Sequence, residues 1–462
     1  MRRIISFILA VLTVLCLASC TKKEEGEIQT PQNPYKPEDI VMKTENFSYT
    51  RGELSIIFYQ YCNEFFYDSE TVDFYNVEPA VSLKDQMYGD ETWFDYFLNI
   101  SKDHMKNVLL LCEGAKAAGI ELSEEDLAEV EKAIVDVDRY ITSYDYNEQE
   151  YFAMKFGVDS SRDALREYLK KEALATRYEN SIISAYEFTD DELLAYAKEH
   201  SEEFNTINYI SYTFDEDTNK NAKAAAAELA KITDPAEFDS HIVSYMTDVL
   251  MLSGDQVSTA DCYKTSKYYD KYSDFSKWAF DGAAAGTTYI KSNDVDGEYT
   301  VYLLTKEVGI REDITKNIRV VLIDIDSHET DAKAKSHAEE LLEGWKAGEA
   351  TEESFITLVK EHTDDDAALY DEGLIEGVAI DSTLPEGFVE WMWNEETAVG
   401  DTGIFKDSGS YFIVYNCGDG ELKWKLDAKA GLISDGYSDN VSNLEAKFKV
   451  QQFDEVLASL EA

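Results

Sequence analysis

Two stretches of this chain carry the same ordered landmarks, and any fold has to satisfy both copies. Each opens with a strand-like run, Ile207–Tyr212 in the first and Ile318–Ile323 in the second. Acidic turn residues follow, then an Ala/Lys-rich helical segment, Ala222–Leu229 or Ala332–Leu342. A second short helical segment carries Phe238 or Phe355 and ends at Thr247-Asp248 or Thr363-Asp364. Further on, Phe275-x-x-Trp278-x-Phe280 matches Phe388-x-x-Trp391-x-Trp393. A Gly then leads to Thr288-x-Ile290 or Thr402-Gly-Ile404, and both copies close on an aromatic strand, Tyr299–Leu304 or Tyr411–Tyr415. Self-similarity at a period of roughly 110 residues is the mark of a duplicated domain. Strand, helix, helix, helix and two strands at this size describe a small α+β domain built on one sheet.

The regions on either side are of another kind. Residues 41–204 read as helical. Thr50-Arg51-Gly52-Glu53 has capping-box spacing and opens a run with Leu54, Phe58, Tyr61 and Phe65 on one face. Trp93–Ala118 is a long periodic stretch closed by Gly119, and Ser123 caps a segment carrying Leu127, Val130, Ile134 and Val137. Gly157 precedes a helix with Leu165, Tyr168, Leu169 and Leu174, and Thr189-Asp190-Asp191-Glu192 is a further capping box. Residues 421–462 return to helical character and are expected to pack on the helical region, since a lone amphipathic segment is marginal in water.

At the amino terminus Arg2 and Arg3 precede an apolar stretch from Ile4 to Leu17, the layout of a secretory signal and too short for a confident membrane span. It ends in Leu17-Ala18-Ser19-Cys20, which resembles a bacterial lipobox. That resemblance implies cleavage after residue 19 and lipidation of Cys20, whose two acyl chains suffice for stable anchoring. Residues 20–40 hold Pro31, Pro34 and Pro37, half of the six prolines, and read as a flexible tether. The expected location is the outer face of a cell membrane. No other segment reaches transmembrane length, so a soluble body is expected beyond the tether.

The body is strongly acidic. Once Arg2 and Arg3 are gone, 93 acidic residues stand against 40 basic ones. Such a surface repels nucleic acid and anionic lipid, and it keeps the chain soluble. No cofactor is expected: no H-E-x-x-H pair, Gly-rich phosphate loop or G-x-S-x-G elbow occurs. Cys62, Cys112, Cys262 and Cys417 are widely spaced, which fits buried thiols better than a disulfide framework.

The second copy resembles the parvulin, or rotamase, family of peptidyl-prolyl isomerases. Asp371-Glu372-Gly373-Leu374 looks like a degenerate G-G-D-L-G turn. Leu384-Pro385-Glu386-Gly387-Phe388 sits where the family has Met-x-x-x-Phe. Gly400-Asp401-Thr402-Gly403-Ile404 and Ser408–Ile413 resemble the closing strands. A helical domain before such repeats, behind a signal, is similar to the SurA and PrsA chaperones. The implied fold class is α+β multidomain: signal 1–19, anchor and linker 20–40, an all-α chaperone-like domain 41–204, parvulin-like domains 205–310 and 311–420, and C-terminal helices 421–462.

The resemblance implies binding of unfolded exported polypeptides and, in active members, isomerisation of X-Pro bonds. It assigns substrate contacts to Leu374, Leu384, Phe388, Trp393 and either Tyr411 or Phe412, and candidate catalytic roles to Asp364 and Asp365. The family's two His residues have no counterpart. The first falls on Ser211 or Leu322; the second falls on Tyr299 or Thr300 in copy one and Tyr411 or Phe412 in copy two. Asp248 is the copy-one equivalent of the acidic position, and His328, His337 and His362 read as surface residues. Three functions follow: a tethered folding factor with weak or lost catalysis, a slow isomerase working through Asp365 and Leu384/Phe388, or a solute-binding lipoprotein.

Overall fold

The computed structural model describes residues 33–460, apart from 68, 76, 79, 80, 260, 261, 370 and 386. The signal at 1–19, Cys20 and tether residues 21–32 lie outside the described residues. No described helix is long and apolar enough to cross a membrane. The chain is α+β and divides into two compact units, one ending at Glu187 and resuming at Ile433, the other Phe188–Leu432.

The first unit opens on two short strands, β1 (Ile40–Lys43) and β2 (Ser48–Thr50), before helix α1 (Arg51–Tyr67). Glu53 accepts hydrogen bonds from the Thr50 amide and hydroxyl, and the Glu53 amide donates back to Thr50 Oγ1. That reciprocal cap satisfies amide groups that the first helical turn leaves without partners. Helix α2 (Trp93–Ala118) is capped by Thr92 and ends on Gly119 at φ 72°. Helices α3 (Glu124–Ser143), α4 (Glu148–Phe156) and α5 (Arg162–Ser184) complete the bundle. Its core runs through Phe58, Phe94, Phe97, Leu109, Val137, Phe152 and Leu169, all buried.

This unit is not purely helical, contrary to the all-α expectation. β1 lies between β2 and a strand at Gln451–Gln452, some four hundred residues downstream. A two-residue strand has no periodicity of its own; only that distant pairing makes it one.

Within the helical core, Glu172 gathers a small polar network. Tyr49 Oη donates to it at 3.2 Å and His104 Nε2 lies 2.8 Å from the same oxygen. Burial alone lowers the His104 pKa, but the charge and hydrogen bond of Glu172 outweigh it and leave the imidazole above its ordinary value. A raised folded-state pKa contributes stability fully below the unfolded value of about 6.5, and that contribution is lost as pH rises through the folded value. The wild-type chain is therefore expected to lose more stability than His104→Gln between pH 6 and pH 8, measured by urea denaturation at each pH. Parallel curves would remove His104 from the account.

The second unit begins with helix α6 (Asp190–Glu199), capped by Thr189 and Glu192. Leu193, Ala197 and Phe204 pack with Trp424, Ala428 and Leu432. The helical residues up to 204 thus divide at 187, and the C-terminal segment divides as well: its residues to Leu432 belong here, while Leu444, Leu457 and Leu460 are buried in the first unit.

Two sheets follow, one from each repeat. The first has β3 (Asn205–Asp215), helices α7 (Ala222–Leu229) and α8 (Pro235–Ser244), β4 (Tyr263–Lys267), α9 (Asp274–Phe280), β5 (Thr288–Asn293) and β6 (Glu298–Leu304). The second has β7 (Ile314–Asp324), α10 (Asp331–Ala347), α11 (Glu352–His362), β8 (Leu374–Val378), α12 (Phe388–Met392), β9 (Thr402–Lys406) and β10 (Ser410–Leu422). The strand orders are β4-β3-β6-β5 and β8-β7-β10-β9, the same path with every neighbour antiparallel. A two-residue strand, Gly309–Ile310, also pairs with β3.

Each sheet buries both faces. Because side chains alternate along a strand, one set meets the two long helices and the other set meets the short helix. In the second repeat Val321, Ile323, Ile413 and Tyr415 join Ala334, Leu342, Phe355 and Val359 on the helix side. Ile318, Val320 and Val414 join Phe388 and Met392 on the other. The first repeat divides in the same way.

Candidate functional site

The side of each sheet away from its two long helices is aromatic. In the second repeat Leu384, Trp391, Trp393, Phe405 and Phe412 lie half-covered around a buried floor of Phe388 and Met392. Phe405 stands opposite Phe412 across β9 and β10. The Phe405 ring meets Phe388 edge-on at 5.2 Å and Trp391 at 5.3 Å, spacings at which rings attract beyond simple burial. The first repeat repeats the layer: Phe275 stacks on Tyr302 at 4.0 Å, and Trp278 lies 5.3 Å from Tyr289.

Strand register settles which residues belong to this layer. Leu322 pairs with Phe412 and Ile323 with Tyr411. Phe412 therefore sits beside Leu322, while Tyr411 turns to the helix side, buried, with its hydroxyl donating to Asp331 at 3.0 Å. Asp331 also receives Lys406, whose hydrogen bond holds that carboxyl below the usual carboxylate range. Leu374 stands opposite Arg319, whose neighbour Ile318 points into the aromatic layer, so Leu374 falls on the helix side too. Leu384, Phe388, Trp393 and Phe412 come together; Tyr411 and Leu374 do not join them. Phe388, only 2% exposed, is floor and not lip.

In the first repeat the two positions that the resemblance marks for histidine do not face each other. Ser211 stands opposite Tyr302, and Thr300 opposite Thr213, their hydroxyls 2.8 Å apart. Tyr299 lies on the helix side, its hydroxyl donating to Asp294 at 2.9 Å. Burial raises the Tyr302 pKa, so its phenol stays neutral. At the positions the resemblance marks for histidine, neither copy carries an imidazole.

The candidate acids lie along the edge of β7. The Asp364 amide donates to the Leu322 carbonyl at 2.8 Å, and its carboxylate accepts from the Asp324 amide at 2.9 Å. Thr363 Oγ1 accepts from the Leu322 amide and also from the Asp365 amide. The Asp364 carboxylate thus substitutes for a strand carbonyl, which is a complete structural reason for an acid there. Asp248 is exposed on the turn after α8, near Thr247 Oγ1. The turn at Asp371–Leu374 closes β8 onto β7: Gly373 has φ 72°, and a Cβ there would meet the Val320 carbonyl oxygen at 2.6 Å. That close approach is why a glycine stands third in this turn.

Sequence reasoning named Trp391 only as a repeat landmark and passed over Phe405. The alternation Gly403-Ile404-Phe405 on β9 was the available signal. Arg311, between the repeats, was also missed; its guanidinium donates to Tyr268 Oη at 3.1 Å and to Asp381 at 2.6 Å. Among the described residues Cys62, Cys112, Cys262 and Cys417 remain thiols, and burial pushes Cys417 up to about 11 and Cys112 up to about 12, which keeps both unreactive at neutral pH.

No family model and no curated protein sequence matches this chain. Among solved structures it matches foldase protein PrsA from Streptococcus pneumoniae str. Canada MDR_19A, 13% identical over 50% of this chain and 80% of that one, with a TM-score of 0.17. It also matches foldase protein PrsA from Lactococcus lactis, 10% identical over 72% of this chain and 98% of that one, with a TM-score of 0.20. Neither match is close enough to carry a function.

Proposed function

We propose that this chain is an extracytoplasmic folding factor, tethered to the membrane through Cys20, that holds unfolded exported polypeptides on the aromatic layers of its two repeats. Catalysis of prolyl isomerisation is weak or lost. The observation that carries the reading is the pairing of Leu322 with Phe412, flanked by Leu384, Trp391, Trp393 and Phe405. An isomerase needs an apolar pocket and polar groups that ease rotation about the amide. Here the apolar half is kept in both repeats and the two imidazoles are replaced by hydrophobic, hydroxyl or phenol groups. Such a surface binds apolar segments of many chains weakly, and the acidic exterior keeps the complex in solution.

A protease-coupled assay on a proline peptide tests the catalytic half of this reading. The expected rate is that of buffer, with a relaxation of tens to hundreds of seconds. An aggregation assay on an unfolded client tests the other half, with suppression expected near equimolar chain. A clear rate above buffer would favour the slow isomerase working through Asp365 and Leu384/Phe388. Absence of suppression, with tight binding of a sugar or peptide, would move the assignment to a solute-binding lipoprotein.

A further inference from the structure

Strands β5 and β9, which end their sheets, begin in the same unusual way. At the start of β9 the Gly400 amide donates to the Asn416 carbonyl at 2.9 Å, and the Asn416 amide donates to the Asp401 carbonyl at 2.9 Å. At the start of β5 the Gly286 amide donates to the Leu304 carbonyl at 2.8 Å, and the Leu304 amide to the Thr287 carbonyl at 3.0 Å. Two residues stand opposite one, led by a glycine at φ 92° or 77°, which is a G1 bulge. The bulge sets the hydrogen-bond phase of the strand. Antiparallel pairing alternates bonded and unbonded residues, so Asp401, Gly403, Phe405 and Asp407 bond to β10. The Asp407 amide closes that series on the Ser410 carbonyl at 3.0 Å. Thr402, Ile404 and Lys406 turn their amides and carbonyls the other way, where β9 has no further strand among the described residues. Thr288, Ile290 and Ser292 do the same on β5.

An open edge of this kind is a template for another strand. Side chains alternate with the same period: Phe405 turns into the aromatic layer and Ile404 packs on the helix side. A chain laid antiparallel along β9 would set its side chains opposite Gly403 and Phe405 on the aromatic layer. The amides of the residues between them would point at the edge. Lysine commonly guards such edges, and here the repeats differ. Lys406 is drawn back to Asp331 at 2.6 Å, whereas Lys291 stays exposed on β5. Asp401 and Asp407, both exposed, bracket β9. A second copy would bring its own Asp401 and Asp407 against these, on a chain with 93 acidic and 42 basic residues, and is repelled. An apolar segment with basic ends is complementary.

We propose that β9 takes an extended, cation-flanked apolar segment of an unfolded polypeptide as an antiparallel fifth strand. The segment's main chain bonds the edge and its alternate side chains lie on the aromatic layer. This rests on the reading of that layer as client surface, and it adds the class of segment selected: apolar at every second position, with Lys or Arg at the ends.

Fluorescence anisotropy of the labelled peptide Lys-Thr-Phe-Thr-Phe-Thr-Lys with the full chain tests it, since that length matches Asp401 to Asp407. N-methylating the three Thr residues should weaken binding by about 10-fold or more, because each loses a bond to the edge. N-methylating the two Phe residues, whose amides face solvent, should change it by less than about 2-fold. Thr402→Pro removes one outward amide at the first position of the strand, where proline is tolerated, and should weaken the unmodified peptide by about 5-fold. Far-UV circular dichroism establishes that the variant is folded, and the methylated pair tests the edge without it. Equal binding of the two methylated peptides, with binding lost in Phe412→Ser, would overturn the added strand and leave the aromatic layer as client surface. No binding of the unmodified peptide, or loss on Phe methylation instead, would also overturn it. So would a wild-type dimer that Thr402→Pro dissolves, which would give the edge to a second copy.

Discussion

Replacing Arg51 by Met is expected to destabilise the helical unit by about 3–5 kcal/mol, the effect of leaving a buried charge without its partner. Arg51 is 1% exposed, and its guanidinium meets Asp159 at 2.6 Å. The other terminal nitrogen donates to the Ser459 carbonyl at 2.8 Å, so this one side chain joins the start of α1, the loop before α5 and the end of the chain. Met fills a similar volume but takes the Arg51 charge away from the Asp159 carboxylate, whose residue is only 8% exposed. Hydrogen exchange of the α1 amides measures the loss within this unit, where a global melt would mix both units. The pair Arg51→Met with Asp159→Leu should recover most of it, because matched apolar residues often replace a buried ion pair at little cost. A single variant as stable as wild type would show that the pair contributes nothing.

The second large effect is expected at Phe388. Deleting its ring should cost about 3–5 kcal/mol and unfold the second repeat before the first. The ring is floor to Trp391 and Phe405, and its loss leaves a void that the antiparallel sheet cannot collapse to fill. Phe412→Ser, on the half-covered part of the same layer, should cost only about 1 kcal/mol and still reduce suppression of client aggregation. The contrast separates support from contact. If Phe412→Ser left client binding intact, the aromatic layer would be core alone and the proposed function would lose its site.

Much of the fold was legible in the sequence because it is local. The capping boxes at Thr50, Ser123 and Thr189 and the left-handed Gly119 act within four residues, and each sits where its spacing placed it. The duplication was legible because both copies kept the aromatic landmarks Phe-x-x-Trp, and the sheets follow one path. The candidate site was legible only by halves. Leu384, Phe388 and Trp393 were found by motif position, yet a one-residue choice between Tyr411 and Phe412 stayed open. On a strand that choice decides the face.

By itself, then, the chain specified its helix ends and its alternating strands, since those are set by neighbours a few residues apart. Tertiary structure alone decided the rest: that Phe412 and not Tyr411 joins the aromatic layer, that Asp364 serves the edge of β7, and that Gln451–Gln452 completes a sheet begun at Ile40. Each of these depends on hydrogen-bond register or packing between segments far apart in sequence, and no local pattern encodes a partner hundreds of residues away.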